Sequence, residues 1–257
     1  MRSPSVAAQA AAQTRAVDGG AGAYQTRACS PRSPNARSSR AITNNLRALC
    51  AVGRSRTFSP LSSVSLFFIG AVLVVNGLAL LGRVEPTGAA PVNAFVGIVL
   101  VAAAGRLALP TGADEAALLA AAGFLLFGVT YLWVALNAWT GHPAGGLGWY
   151  CAWATGVSVF LGLANLVHEH DTKFALLWLL WALLFATFFS VLALDRSTLI
   201  HTAGWLAIME AIVTASVPAG LLMIGQWDDL ATAWVAVATA GVIGVFLVLV
   251  RRPRPAT

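Results

Sequence analysis

The sequence predicts an all-α fold, a polytopic bundle of membrane-spanning helices, on three observations. Hydrophobic residues make up 58% of the chain, charged residues only 10%, and mean hydropathy is +0.76, whereas a water-soluble domain of ordinary composition carries about 25% charged residues. The apolar residues are gathered in runs of roughly 20, the length that crosses a bilayer as a helix. The connections between the runs are brief, so the helices pack as one antiparallel bundle in which each satisfies its own backbone hydrogen bonds.

The first span runs over Ser65–Leu81 and is short unless Leu61–Val64 join it. The second, Pro91–Leu109, carries Arg106 near its end, where a long side chain can snorkel to the interface. Leu118–Trp139, Leu147–Val167, Phe174–Leu194 and Ala203–Ile224 follow, and Leu230–Val250 makes a seventh. With the start of the first span outside, Arg83, Arg196, Arg251, Arg252 and Arg254 fall inside, and Arg106 and Lys173 outside, in keeping with the positive-inside rule. The acidic residues Asp114, Glu115, Glu169, Asp171, Asp228 and Asp229 fall mostly on the outer side.

Residues 1–60 have another character. Nine arginines face one acid, Asp18, among Ala, Ser, Gly and Pro; that +8 exceeds the +6 of the whole chain. Such a composition builds no core and reads as a disordered tail. A start codon placed too early explains it best, because a basic tail outside conflicts with the charge rule. A transit peptide is the second reading, and a regulatory or nucleic-acid-binding arm the least favoured, since the segment has no lysine and few aromatics. Cys29, Cys50 and Cys151 have no metal-ligand spacing, and His168 and His170 read as a solvated turn between spans. No metal or cofactor site and no nucleophile motif is discernible.

Glu210 stands in the middle of the sixth span, with no Lys, Arg, His or second acid in Ala203–Ile224 to pair with it. An ionisable group at that depth costs about 2.5 to 3.5 kcal/mol on insertion scales and is retained where it faces a polar cavity, a partner or a pathway. Trp178, Trp181 and Phe185, at i, i+3 and i+7, share one face of the fifth span, and Phe127 and Tyr131 share one face of the third. Such stripes are either core packing or the walls of a slot for a small, planar, uncharged solute. Asn76, Asn137 and the Tyr131 hydroxyl could exchange hydrogen bonds with it, although an asparagine in a span more often binds a neighbouring helix. A faint repeat, Gly148-Trp149 against Gly204-Trp205 with Gly70 and Gly128 as counterparts, hints at two-helix units arranged around a passage.

The segments Phe68-Ile69-Gly70, Val74-Val75-Asn76-Gly77, Gly82-Arg83-Val84-Glu85-Pro86 and Val92-Asn93-Ala94-Phe95-Val96-Gly97 resemble the opening of the AmiS/UreI family of urea and short-chain amide channels. Leu126-Phe127-Gly128-Val129-Thr130-Tyr131-Leu132, Trp178-Leu179-Leu180-Trp181 and Gly204 to Glu210, running on to Pro218-Ala219, extend the resemblance in the right order over about Ser65 to Trp227. The resemblance implies six helices in three hairpin repeats within residues 61–227; the additional helix and basic tail at 228–257 lie beyond it. It further implies a pore in each protomer of a homo-hexamer in a bacterial inner membrane. By position, Ile69, Leu73, Phe127, Tyr131, Trp178, Trp181 and Phe185 would line its constrictions, with Asn76 and Glu210 nearby. A tryptophan often found near the place of Phe185 is replaced here, which widens the slot slightly. Acid-gated members have longer outer loops with histidines, and Pro110–Ala117 has none.

The expected function is passive permeation of urea or short-chain aliphatic amides, with no covalent step and no cofactor. Membrane lipid and a cytoplasmic amidase or urease are the expected partners, the enzyme a functional one. The alternative is a proton-coupled amide transporter with Glu210 as carrier. An intramembrane enzyme is disfavoured, because Glu210 has no second carboxylate or His in its span to complete an acid–base pair.

Overall fold

The computed structural model describes residues 60–251; the basic amino-terminal segment and the tail beyond Arg251 lie outside the described residues. Those residues form helices α1 (Pro60–Leu80), α2 (Pro86–Ala108), α3 (Glu115–Thr140), α4 (Gly145–Val167), α5 (Thr172–Leu192), α6 (Ser197–Met223) and α7 (Thr232–Arg251), each long and apolar enough to cross a bilayer. α1 takes in Leu61–Val64 and reaches 21 residues, with Ser62, Ser63 and Ser65 buried in its first turns. The ends follow from local chemistry. Asp114 caps α3 by accepting the Ala117 N–H at 2.8 Å, and Asp171 caps α5 by accepting that of Phe174 at 3.0 Å. Gly141, at φ 71°, turns the chain out of α3 while its N–H reaches Asn137 O at 2.9 Å.

Six helices form three close pairs. α2 lies along α3 and α4 along α5 as hairpins, while α6 returns to lie along α1 and closes the set. Glycines let the backbones meet. A Cβ at Gly97 would stand 3.1 Å from Gly128 O, one at Gly77 2.7 Å from Gly204 O, and one at Gly148 2.6 Å from Ala193 N. Gly148 and Gly204, which open their spans in parallel in the sequence, thus do the same work: each seats the start of an even-numbered helix against the end of an odd-numbered one.

α6 is not a uniform helix. A 3₁₀ turn leads into α-helix over Ile200–Glu210, a π-helical segment spans Ala211–Ser216, and α-helix resumes at Val217–Met223. Pro218 has no N–H for the carbonyl of Thr214, and its ring crowds that carbonyl in α register; the wider turn before it, with Val217 N–H on Ile212 O, accommodates the ring. Gly70 of α1 faces this segment, where a side chain would collide with Ser216 Oγ.

α7 packs against α5 and α6 through the buried Val235, Thr239 and Val242 and the half-buried Ile243 and Phe246, and most of its remaining residues are exposed. Arg83, Arg196 and Arg251 lie at one end of the bundle, the inner end by the charge rule. Asp114, Glu169, Asp171 and Lys173 lie at the other.

Candidate functional site

The inward faces of α1, α3 and α5 meet in the bundle core. Ile69, Leu73, Phe127, Tyr131, Trp178, Trp181 and Phe185 are all buried there, so the two aromatic stripes form one cluster. Phe127 is its hub, with ring centroids 5.1 Å from Trp181, 5.3 Å from Phe185, 6.0 Å from Tyr131 and 6.4 Å from Trp178. Trp178 and Trp181 meet edge to face at 4.6 Å. Gly123, one turn before Phe127, makes room for Trp178: a Cβ there would lie 2.8 Å from the indole.

Trp181 is held by more than packing. Its Nε1–H donates to Thr214 Oγ1 of α6 at 2.8 Å, and that hydroxyl donates to Glu210 O at 2.6 Å. Trp181 lies nine residues from the outer end of α5 and Thr214 nine from the outer end of α6, so at 1.5 Å per residue both sit about 13 Å deep.

Above the rings is a cavity of about 120 Å³ at the outer end. Its inner end is formed by Ile69, Phe127, Trp178 and Trp181, and its mouth includes Asn165, Glu169 and Asp171. Below it Leu73, Tyr131 and Phe185 are at most 2% exposed and leave no open passage between them. Glu210 is the midpoint of the 27-residue α6 and fully buried; both its carboxyl oxygens and the Tyr131 hydroxyl have no hydrogen-bond partner among the described residues. Unmet polar atoms of this kind cost about 1 to 3 kcal/mol each. Asn76 stands apart from the rings. It exchanges reciprocal amide bonds of 2.9 and 2.7 Å with Asn93 of α2, which also donates to Ala89 O.

The sequence profile of the AmiS/UreI family of transporters matches residues 61–226. The chain belongs to the AmiS/UreI family. It is 40% identical over 200 residues to a Mycolicibacterium smegmatis protein named as an amidate substrates transporter, covering 75% of this chain and 89% of that one. It is 30% identical over 190 residues to the acid-activated urea channel of Helicobacter pylori, covering 63% of this chain and 97% of that one. The cryo-EM structure of the Helicobacter pylori urea channel in its closed state superposes with a TM-score of 0.58 at 30% identity, over 64% of this chain and 98% of that one. The AmiS/UreI match ends before α7.

Within the AmiS/UreI bundle, sequence reasoning missed Thr214, Asn93 and Gly123. Each had a signal. Thr214 is one turn from Glu210 in a mostly apolar span, Asn93 is the second asparagine in a membrane segment, and Gly123 is one turn before Phe127.

Proposed function

We propose that the chain is a passive channel for urea and short-chain aliphatic amides, the solute crossing each protomer between the rings of Phe127, Trp178, Trp181 and Phe185. The observation that carries this reading is the buried aromatic cluster between an outer cavity and unpaired polar atoms deeper in the bundle. A planar solute leaving water loses hydrogen bonds that a purely apolar passage could not replace. Here the Tyr131 O–H can donate to its carbonyl, and Glu210 can accept its N–H groups. These groups are unsatisfied at rest, so the solute relieves their cost while its own is relieved. Ile69 and Leu73 supply the opposite wall from α1, and the Asn76–Asn93 pair fixes that helix against α2. The names of the Mycolicibacterium and Helicobacter relatives support the solute class. Assembly as a homo-hexamer in a bacterial inner membrane, feeding a cytoplasmic amidase or urease, completes the proposal.

The unpaired Glu210 at mid-span also suits a proton carrier, the second reading. Uptake of labelled acetamide into proteoliposomes separates the two. A channel keeps its flux with a proton uncoupler and in Glu210→Gln, which retains a hydrogen-bonding side chain of the same size; a proton-coupled transporter loses accumulation in both.

A further inference from the structure

The channel reading leaves α7 and the connection before it without a task, and the outer cavity supplies one. Trp227, in the segment between α6 and α7, is only 4% exposed although it lies in a surface connection. Its ring packs on Phe174 at 5.4 Å, and both rings border the cavity whose floor is Phe127 and Trp181. Three contacts hold it. Lys173 Nζ donates to the carbonyls of Trp227 at 2.6 Å and Leu230 at 3.3 Å, and the same ammonium lies 4.9 Å from the centre of the indole. Val235, one turn into α7, joins Phe174, Leu177 and Trp227 in one apolar cluster. The segment is therefore stapled at its backbone by Lys173 and anchored beyond by α7. A flexible connection would not keep a large ring in a cavity wall, because ordering a residue costs about 1 to 2 kcal/mol of backbone entropy. The Trp227 Nε1–H is buried and has no partner among the described residues.

We propose that Trp227 is a specificity-determining residue of the solute pathway, an outer aromatic stage that Lys173 and α7 hold over the entrance and that screens amides by size before the inner ring cluster. The inference rests on the channel reading. It gives α7, which lies beyond the family match at 61–226, the role of fixing the outer wall.

The test uses the full chain in proteoliposomes, with urea, acetamide and butyramide as probes. Trp227→Ala opens the wall and raises the butyramide-to-urea permeability ratio about tenfold or more, the low end of the roughly 10- to 200-fold by which an apolar pocket discriminates a methylene. Trp227→Phe, which keeps a ring, holds the ratio within about twofold of the wild type. Lys173→Met keeps the apolar stem but removes the donors and the cation, and shifts the ratio in the same direction by less; it also serves if Trp227→Ala does not fold. A conducting wild type with the ratio unchanged in folded Trp227→Ala or Lys173→Met overturns this inference alone. A wild type that conducts neither urea nor acetamide overturns the channel reading and this inference with it.

Discussion

Thr214→Val isolates the contact that holds the Trp181 indole against the proposed pathway. Valine keeps the shape of threonine but cannot accept the Trp181 Nε1–H now at 2.8 Å, nor donate to Glu210 O. Hydrogen bonds between membrane helices average about 0.6 kcal/mol and reach about 1.7. The bond biases the indole toward its resting position against Phe127, so its loss raises the population of displaced indole by the same free energy. At about 1.4 kcal/mol per factor of ten, that is roughly 3- to 20-fold. On the proposed pathway the solute passes only when the rings part, so urea permeability rises by about that factor. Stopped-flow light scattering on proteoliposomes measures it, with Thr214→Ser, which restores the hydroxyl, expected to match the wild type. Unchanged or reduced permeability in Thr214→Val, with near-ultraviolet circular dichroism and elution showing a native fold, would refute the reasoning.

Two further predictions concern the frame. Gly148→Ala pushes a methyl to 2.6 Å from Ala193 N, a backbone atom that cannot step aside, and should cost about 1 to 3 kcal/mol, seen as a lower melting temperature in detergent; Gly156→Ala, with nothing within 4 Å, should leave melting unchanged or slightly raised. Asn76→Leu strands the buried Asn93 amide and should destabilise by about 1 to 3 kcal/mol, whereas Asn76→Leu with Asn93→Leu should recover much of that, a coupling readable in a double-mutant cycle. Additive losses would mean that the two amides do not depend on each other.

What could be read from the chain divides along a physical line. The seven spans were legible to within six residues at their ends because length and hydropathy report directly on bilayer thickness. The convergence of Trp178, Trp181 and Phe185 was legible as a shared helix face, since helical periodicity is local. The packing of α6 on α1 was not, because it joins segments more than a hundred residues apart and leaves only glycines as a trace. The π-helical segment is a compromise among Pro218, Gly70 and Ser216, and half of that argument sits on another helix. Asn76 shows the same limit. Its amide marks it as a hydrogen-bonding residue, but only the fold shows that Asn93 satisfies it. Nothing in the sequence singles out Trp227; the Lys173 staple that turns it inward comes from the start of a different helix.

The proposed pathway between the rings and past Glu210 requires that the chain conduct small amides without an energy source. The most direct measurement is stopped-flow permeability of proteoliposomes to urea and to acetamide, with and without an uncoupler, for the wild type and Trp181→Ala. The account predicts flux well above that of empty liposomes, linear in the gradient, indifferent to the uncoupler, and higher with poorer discrimination against larger amides in Trp181→Ala. Permeability no greater than that of empty liposomes for either solute would contradict it.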